Sequence, residues 1–351
     1  MPDYQQTLFR DRDVFHDSEG RVYVTLGYIQ PTDRVLSYLK YIPAQEGKWK
    51  SSQNRYTRIF SGGIDSVVDG SLLVPKNYIF HDPYFGAELL EVPKSEIASY
   101  FFPEEKLREI IDNGPKDTLE AKIVTLTQAI SSTLHISLSN LGVTGSVAWG
   151  AHDPEWSDIN INIYGFRESW SLYNNYDQVA ECSSDIRLRR GDDWASTMSH
   201  LKSRVHHLSQ GDLLTLYSRR TELILEKYYP TIMPVLLPHE SPIEYGSEQY
   251  ITMTDAPIDI EMGIDSCEYG IFHPAIYTGH SEPVKHLDNI EVTRIMMYDG
   301  SFRGMLREGD AVHVRGTVQR VIYNNRPIDD RYQIMVGTKQ GIGNEFVRII
   351  E

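Results

Sequence analysis

Between Val22 and about Phe85 the apolar residues come in short bursts, such as Val22-Tyr23-Val24-Thr25-Leu26 and Val35-Leu36-Ser37-Tyr38-Leu39, set off by Gly, Pro and Asp. That spacing predicts strands joined by turns. Aromatic side chains recur in them (Tyr28, Tyr38, Tyr41, Tyr56, Phe60, Tyr78, Phe80, Tyr84, Phe85), as in a small β-rich core with Pro31 and Pro83 in its turns. The period then changes. Residues 103–112 and 117 to about 131 predict helices, the second with Asp117 as N-cap and Leu119, Ile123, Leu126 and Ile130 at spacings of three and four. Asn113-Gly114-Pro115 breaks the two apart. Helices alternate with short strands to about residue 240, and beyond Pro238 two-residue periodicity returns in runs 258–262, 290–297, 311–323 and 332–336. The clean alternation of residues 312–321, with Gly316 where a barrel strand would bend, predicts a small antiparallel barrel or sandwich.

The expected fold is therefore α+β in three units: a β-rich unit over 1–115, a mixed unit over 116–240 and a β unit over 241–351. A length of 351 residues suits several compact units. The formal charge, 34 − 49 = −15, opposes a broad, nonspecific grip on DNA while leaving room for a local basic site. Apolar stretches such as 233–237 are broken by Pro or charge well before the ~20 residues that a spanning helix needs. The start of the chain, Met1-Pro2-Asp3-Tyr4, lacks the basic and apolar regions of a secretory signal and soon reaches Arg10-Asp11-Arg12-Asp13, so a cytoplasmic protein is expected. Cys182 and Cys267 are too few for a disulfide framework or a four-thiolate metal site, and no His-Cys spacing, His206-His207 included, reads as a zinc site.

Candidate chemistry concentrates between Gly142 and Tyr164. The pattern is strand, then Gly145-Ser146 opening a helix, then a second strand in which Asp158, Asn160 and Asn162 alternate with Ile159, Ile161 and Ile163. Period-two geometry puts the three polar groups on one face and the isoleucines in the core. Gly145 and Ser146 at a helix start offer N–H groups and a hydroxyl to a triphosphate, and a strand projecting carboxylates beside them holds Mg²⁺.

These residues resemble the signature of the DNA polymerase beta superfamily of nucleotidyltransferases, Gly-Ser followed about a dozen residues later by Asp-x-Asp. The flanking order, Arg10 to Asp13, Tyr38-Leu39-Lys40-Tyr41, His81-Asp82-Pro83-Tyr84-Phe85 and Phe272 to Tyr277 among others, is similar to that of archaeal predicted nucleotidyltransferases. The resemblance implies a polymerase-beta-like core, and the small barrel or sandwich expected at the C-terminus would be OB-like. It also implies Mg²⁺- or Mn²⁺-dependent transfer of a nucleoside monophosphate from NTP to a hydroxyl, on RNA, protein or another acceptor. Asp158 and Asn160 stand in the metal and catalytic positions, and Gly145 and Ser146 at the triphosphate. Asn160 replaces the second carboxylate of the pattern, and the segment 228–235, where the third is expected, holds two prolines and no acid. Transfer that is weak or lost is therefore expected, with a nucleotide- or RNA-binding protein of the same fold as the alternative. Asp185, Asp153 and Glu155 are substitute acids; Arg187, Arg189, Arg190, Arg219 and Arg220 are candidates for phosphate, and Trp149 and Trp156 for stacking on a base.

A second string, Ser61-Gly62-Gly63-Ile64-Asp65-Ser66, matches the phosphate loop of ATP pyrophosphatases. That family needs a parallel βαβ setting, whereas here an edge-like strand precedes the loop, and Asp69-Gly70 with Pro75 leaves little room for a helix. An antiparallel sheet at this point would dispose of the match.

Overall fold

The computed structural model describes residues 4, 6–52, 54–324 and 331–350. Met1 to Asp3, which open the expected cytoplasmic start, lie outside the described residues. Among the described residues the protein is a mixed α/β structure, and no helix is long and apolar enough to cross a membrane.

The N-terminal sheet comprises β1 (Val14–Asp17), β2 (Val22–Thr25), β3 (Arg34–Pro43), β4 (Trp49–Lys50), β5 (Arg55–Arg58), β6 (Ile79–Asp82), β7 (Ala87–Pro93) and β8 (Ile97–Phe101). Its order is β4-β5-β3-β2-β1-β8, with β7 on β3 and β6 on β7. Every pairing is antiparallel. Helix α1 (Gly63–Ser71) does form after β5. The Ser66 hydroxyl bonds the Gly62 and Gly63 carbonyls, and Gly70, lacking a side chain, lets the helix lie close to Leu39 of β3. The expectation of little room there is thus corrected, while the antiparallel setting removes the βαβ environment of an ATP pyrophosphatase.

The middle of the chain carries α2 (Pro103–Asn113), α3 (Thr118–Leu134), β9 (Leu141–Val143), α4 (Gly145–Ala148), β10 (Asn160–Tyr164), α5 (Phe166–Asn174), α6 (Tyr176–Glu181), β11 (Ile186–Leu188), α7 (Ala195–Arg204), α8 (Gln210–Ser218), β12 (Leu223–Leu225) and β13 (Thr231–Val235). Helix α3 starts where its cap predicts, the Asp117 carboxylate accepting the Glu120 N–H at 2.9 Å. Its apolar stripe, Leu119, Ile123, Leu126 and Ile130, packs with Ile159, Ile161 and Ile163 in one core. Three strands, in the order β13-β10-β9, form the central sheet, β10 running parallel to β13 and antiparallel to β9. From exposed Asp158, two residues before β10, the polar positions run through half-buried Asn160 to fully buried Asn162. The N-terminal segment covers the far end of β10, where the Arg10 guanidinium lies 4.2 Å from the Tyr164 ring centre and pairs with Glu104 of α2 at 2.8 Å.

The C-terminal strands are β14 (Glu248–Thr252), β15 (Ile258–Tyr269), β16 (Ala275–Ser281), β17 (Val292–Met297), β18 (Ala311–Tyr323), β19 (Arg331–Val336) and β20 (Phe346–Ile350). Five close into a ring, β18-β15-β16-β17-β19 and back to β18, with β17 and β19 parallel. Trp194, Met198 and Leu201 at α7, with Leu213 and Leu216 of α8, join the core of this ring. The middle sheet has a separate core.

Glu91 of β7 is fully buried with neither carboxylate oxygen hydrogen-bonded. Burial first, then the charge of Asp82, push its carboxyl up to about 8. Because the folded value lies above the unfolded one, the folded state holds the extra proton between them, and stability falls as pH rises through this window. Glu91→Gln should flatten that fall between about pH 4.5 and 8 and leave the variant more stable than the parent at pH 8; urea denaturation across the range checks it. An unchanged slope would place the titration elsewhere.

Candidate functional site

The Gly-Ser turn leaves β9 as expected. Gly145 has φ +68, and a Cβ there would meet the Asn160 amide nitrogen at 3.0 Å, so the turn and the start of β10 are packed without room for a side chain. Thr144, one residue earlier, donates its hydroxyl to the Arg12 carbonyl at 2.9 Å, which binds the turn to the N-terminal segment. Ser146 is buried, and Trp149 is buried against Tyr41, Tyr56 and His16. Trp149 is therefore core rather than a platform for a base. Trp156 packs edge-on against Trp49, with Lys48 over its face at 3.9 Å.

A divalent cation held between strand and phosphate wants several oxygen ligands, carboxylates foremost. Asp158 is exposed and supplies one. The Asn160 amide donates to the Asp158 carbonyl at 3.4 Å, and across the β10–β13 pairing stand Thr231 opposite Asn160 and Met233 opposite Asn162. Asp153 holds its own turn, accepting the Glu155 N–H at 2.9 Å. Asp185 lies at the turn before β11, its carbonyl accepting the Glu226 N–H at 2.8 Å and its charge acting on Lys122 of α3, whereas the charge of Asp158 acts on Lys40 and Tyr41 of β3. No described contact joins Asp158 to Asp153, Glu155 or Asp185. These donors do not fit a two-metal centre.

Among the described residues one other group brings three metal-type ligands together, Asp117, Glu120 and His152, with ligand atoms within 4.8 Å of one another. Local structure already uses them. Asp117 caps α3 and meets His152 at 2.9 Å, and Glu120 accepts the Lys116 N–H at 2.7 Å. The trio thereby latches the loop after α4 onto α3.

The predicted phosphate arginines divide. Arg187 forms a two-pronged pair with Asp193 at 2.6 and 2.8 Å, which holds that carboxyl far below the usual range. Arg189 pairs with Glu222 at 3.0 Å and stacks on Trp194 at 3.8 Å, and Arg219 pairs with Asp310 at 2.5 Å. Arg220 also meets Glu222, at 2.8 Å, but it lines a cleft of about 370 Å³ where the three parts of the chain converge.

That cleft was not legible in advance. Arg12 comes from the turn before β1 and Tyr38 from β3, Ser61 to Gly63 from the start of α1 and the loop before it, His200 and Arg204 from α7, Thr231 and Met233 from β13, and His273 and Arg303 from the C-terminal unit. The second string thus borders this space directly, while of the first string no residue lines it and only Thr231, the cross-strand neighbour of Asn160, does. Lys40 lies nearby: burial, then Arg58 and Arg12, push its ammonium down to about 7 against the pull of Asp158. Arg12 was visible only as part of a charged run, and Arg303 carried no signal, because neither lies in a motif with a fixed spacing.

No family model and no solved structure matches the chain. It is 21% identical over 350 residues to the uncharacterized protein MJ1086 of Methanocaldococcus jannaschii, a similarity spanning 97% of this chain and 98% of that protein.

Gly145→Ala places a Cβ in a left-handed conformation against Asn160 and should cost about 1–2 kcal/mol in urea denaturation. A cost near zero would mean that Asn160 yields freely and that the turn is not held by this contact.

Proposed function

We propose that the protein binds a nucleotide on a polymerase-beta-like core and that its nucleotidyl transfer is weak or lost. The observation that carries the reading is the central sheet: Gly145 and Ser146 leave β9, Asp158 and Asn160 stand at the start of the adjacent β10, and β13 runs parallel beside them. The five-membered C-terminal ring supports an OB-like reading of that unit. Loss of transfer follows from charge. With an amide at 160 and Thr231 and Met233 across from it, the neighbourhood offers one carboxylate where two or three are needed to hold a metal pair and to stabilise the leaving pyrophosphate. Mg²⁺ would then arrive with the nucleotide, Asp158 being the residue placed to touch it. The chain's own share is orientation: the close Gly145–Asn160 packing fixes the turn, and arginines nearby meet negative charge.

The test is thermal unfolding with each of ATP, GTP, CTP and UTP in Mg²⁺, beside transfer of label from the α-³²P nucleotides to protein or RNA, with Asp158→Ala in parallel. At least one nucleotide should raise the melting temperature by several degrees at saturation, and transfer should be at background or vanish in the variant. Failure of all four nucleotides to shift unfolding would sink the binding reading. Vigorous transfer surviving Asp158→Ala would sink the assignment of the motif.

A further inference from the structure

Burying a polar group without a partner costs about 1–3 kcal/mol, so several such groups around one space point to a ligand that satisfies them. The cleft holds such a set. His273 is 2% exposed, and neither ring nitrogen has a hydrogen-bond partner. Arg303 directs one guanidinium nitrogen to the Met233 sulfur at 3.2 Å, while Nη1 is buried and unpartnered. Arg12 gives Nη1 to the Tyr38 hydroxyl at 3.2 Å and leaves Nε without a hydrogen bond, 3.3 Å from the Asp11 carboxylate in poor alignment.

The charges are as unbalanced as the hydrogen bonds. Arg12 has Asp11, Arg204 has Asp299 at 3.0 Å, and Arg220 has Glu222. Among the described residues Arg303 has no carboxylate within ion-pair distance. Burial, then the charges of Arg12 and Arg220, push its guanidinium down to about 10 against the pull of Asp11 and Glu222, and burial with the same Arg12 and with Arg303 holds His273 neutral. Like charges gathered in a low-dielectric space repel unless an anion joins them. They come from all three parts of the chain, and two of them are anchored by further hydrogen bonds. Arg12 is fixed through its carbonyl to Thr144, while Arg204 braces the 299–303 turn by bonding the Asp299 carboxylate and the Ser301 hydroxyl.

We propose that Arg12, His273 and Arg303 form a phosphate site in this cleft, taking the phosphoryl group of a small organic phosphate. A phosphoryl group is the fitting class because its several acceptor oxygens can take the Arg303 and Arg12 donors and one imidazole N–H together. The cleft, at about 370 Å³, has room for more than a bare phosphate. For a nucleotide the site rests on the function proposed above, whose phosphates it would hold; for other organic phosphates it stands alone.

Calorimetric titration of the full chain with pyrophosphate, with ATP and with ribose 5-phosphate tests it, using Arg303→Met, Arg303→Lys, His273→Gln and Asp158→Asn. Binding of at least one ligand, weakened about tenfold or more by Arg303→Met and His273→Gln and less by Arg303→Lys, is the expected result. Among ligands so weakened, ATP alone names a nucleotide as the source; pyrophosphate or ribose 5-phosphate as well names the phosphoryl group itself. Without ligand, Arg303→Met should melt at or above the parent temperature, since it removes an uncompensated charge, which separates lost binding from lost folding. Equal binding by parent and both Arg303 variants overturns the site. If ATP affinity then falls only in Asp158→Asn, the nucleotide reading survives without it, and if no ligand binds the parent, both fall.

Discussion

The structure turns on four consecutive charges withdrawn from water. Asp11 and Asp13 are at most 1% exposed, and the Arg10 and Arg12 side chains keep about a seventh of their surface. Desolvating such a run costs several kcal/mol per ion unless every group is met, and Asp11 Oδ2 and Arg12 Nε apart the groups are met. Arg10 forks onto Glu104 at 2.8 and 3.0 Å and lies on Tyr164; Asp13 takes the Arg10 N–H and the Tyr100 hydroxyl; Asp11 takes the Gly27 N–H at 2.7 Å. One short segment thereby ties the N-terminal sheet to α2, to the end of β10 and, through Thr144, to the turn that opens α4. The Arg12 side chain reaches the cleft from this same clamp.

Elements with strong local signals were legible in the sequence. The Asp117 cap, the stripe from Leu119 to Ile130 and the alternation about Gly316 each arise within a few residues, and each appears where expected. Pairing at a distance left less trace. That β10 adds β13 as a parallel neighbour, seventy residues on, follows from burial on both sides and not from any local string. Arg10 to Asp13 read as a charged run because period and composition do not report burial, and Asn162, which shares the strand face of Asp158 and Asn160, is buried against Tyr164. The cleft lay beyond reach for the same reason: positions 12, 220, 273 and 303 are brought together only by tertiary packing.

A chain of charge −15 brings four arginines, Arg12, Arg204, Arg220 and Arg303, to one recess, and among the described residues Arg303 has no ion-pair partner. The surrounding acids leave the recess as a local inversion of sign, favouring a small multivalent anion over a long polyanion, whose remaining charges would face the acidic exterior. Asp158 is exposed, and its charge acts on Lys40 of β3, against the burial and the neighbouring Arg58 and Arg12 that push that ammonium down.

The placement of α7 and α8 bears on the order in which the chain becomes ordered. These helices lie between β11 and β12 in sequence, yet their apolar faces belong to the C-terminal ring, whose first strand begins at Ile258 and whose closing partner, β19, ends at Val336. A chain emerging from the ribosome therefore presents Leu201, Leu213 and Leu216 before any strand of the ring exists, and more than a hundred residues of further synthesis pass before the ring that covers them is complete. The central sheet is interrupted by the same stretch and waits for β13. Such long-range pairing slows folding and leaves apolar surface open to wrong partners. The interleaving that builds one cleft from three regions thus also removes any early, self-sufficient intermediate from the middle of the chain.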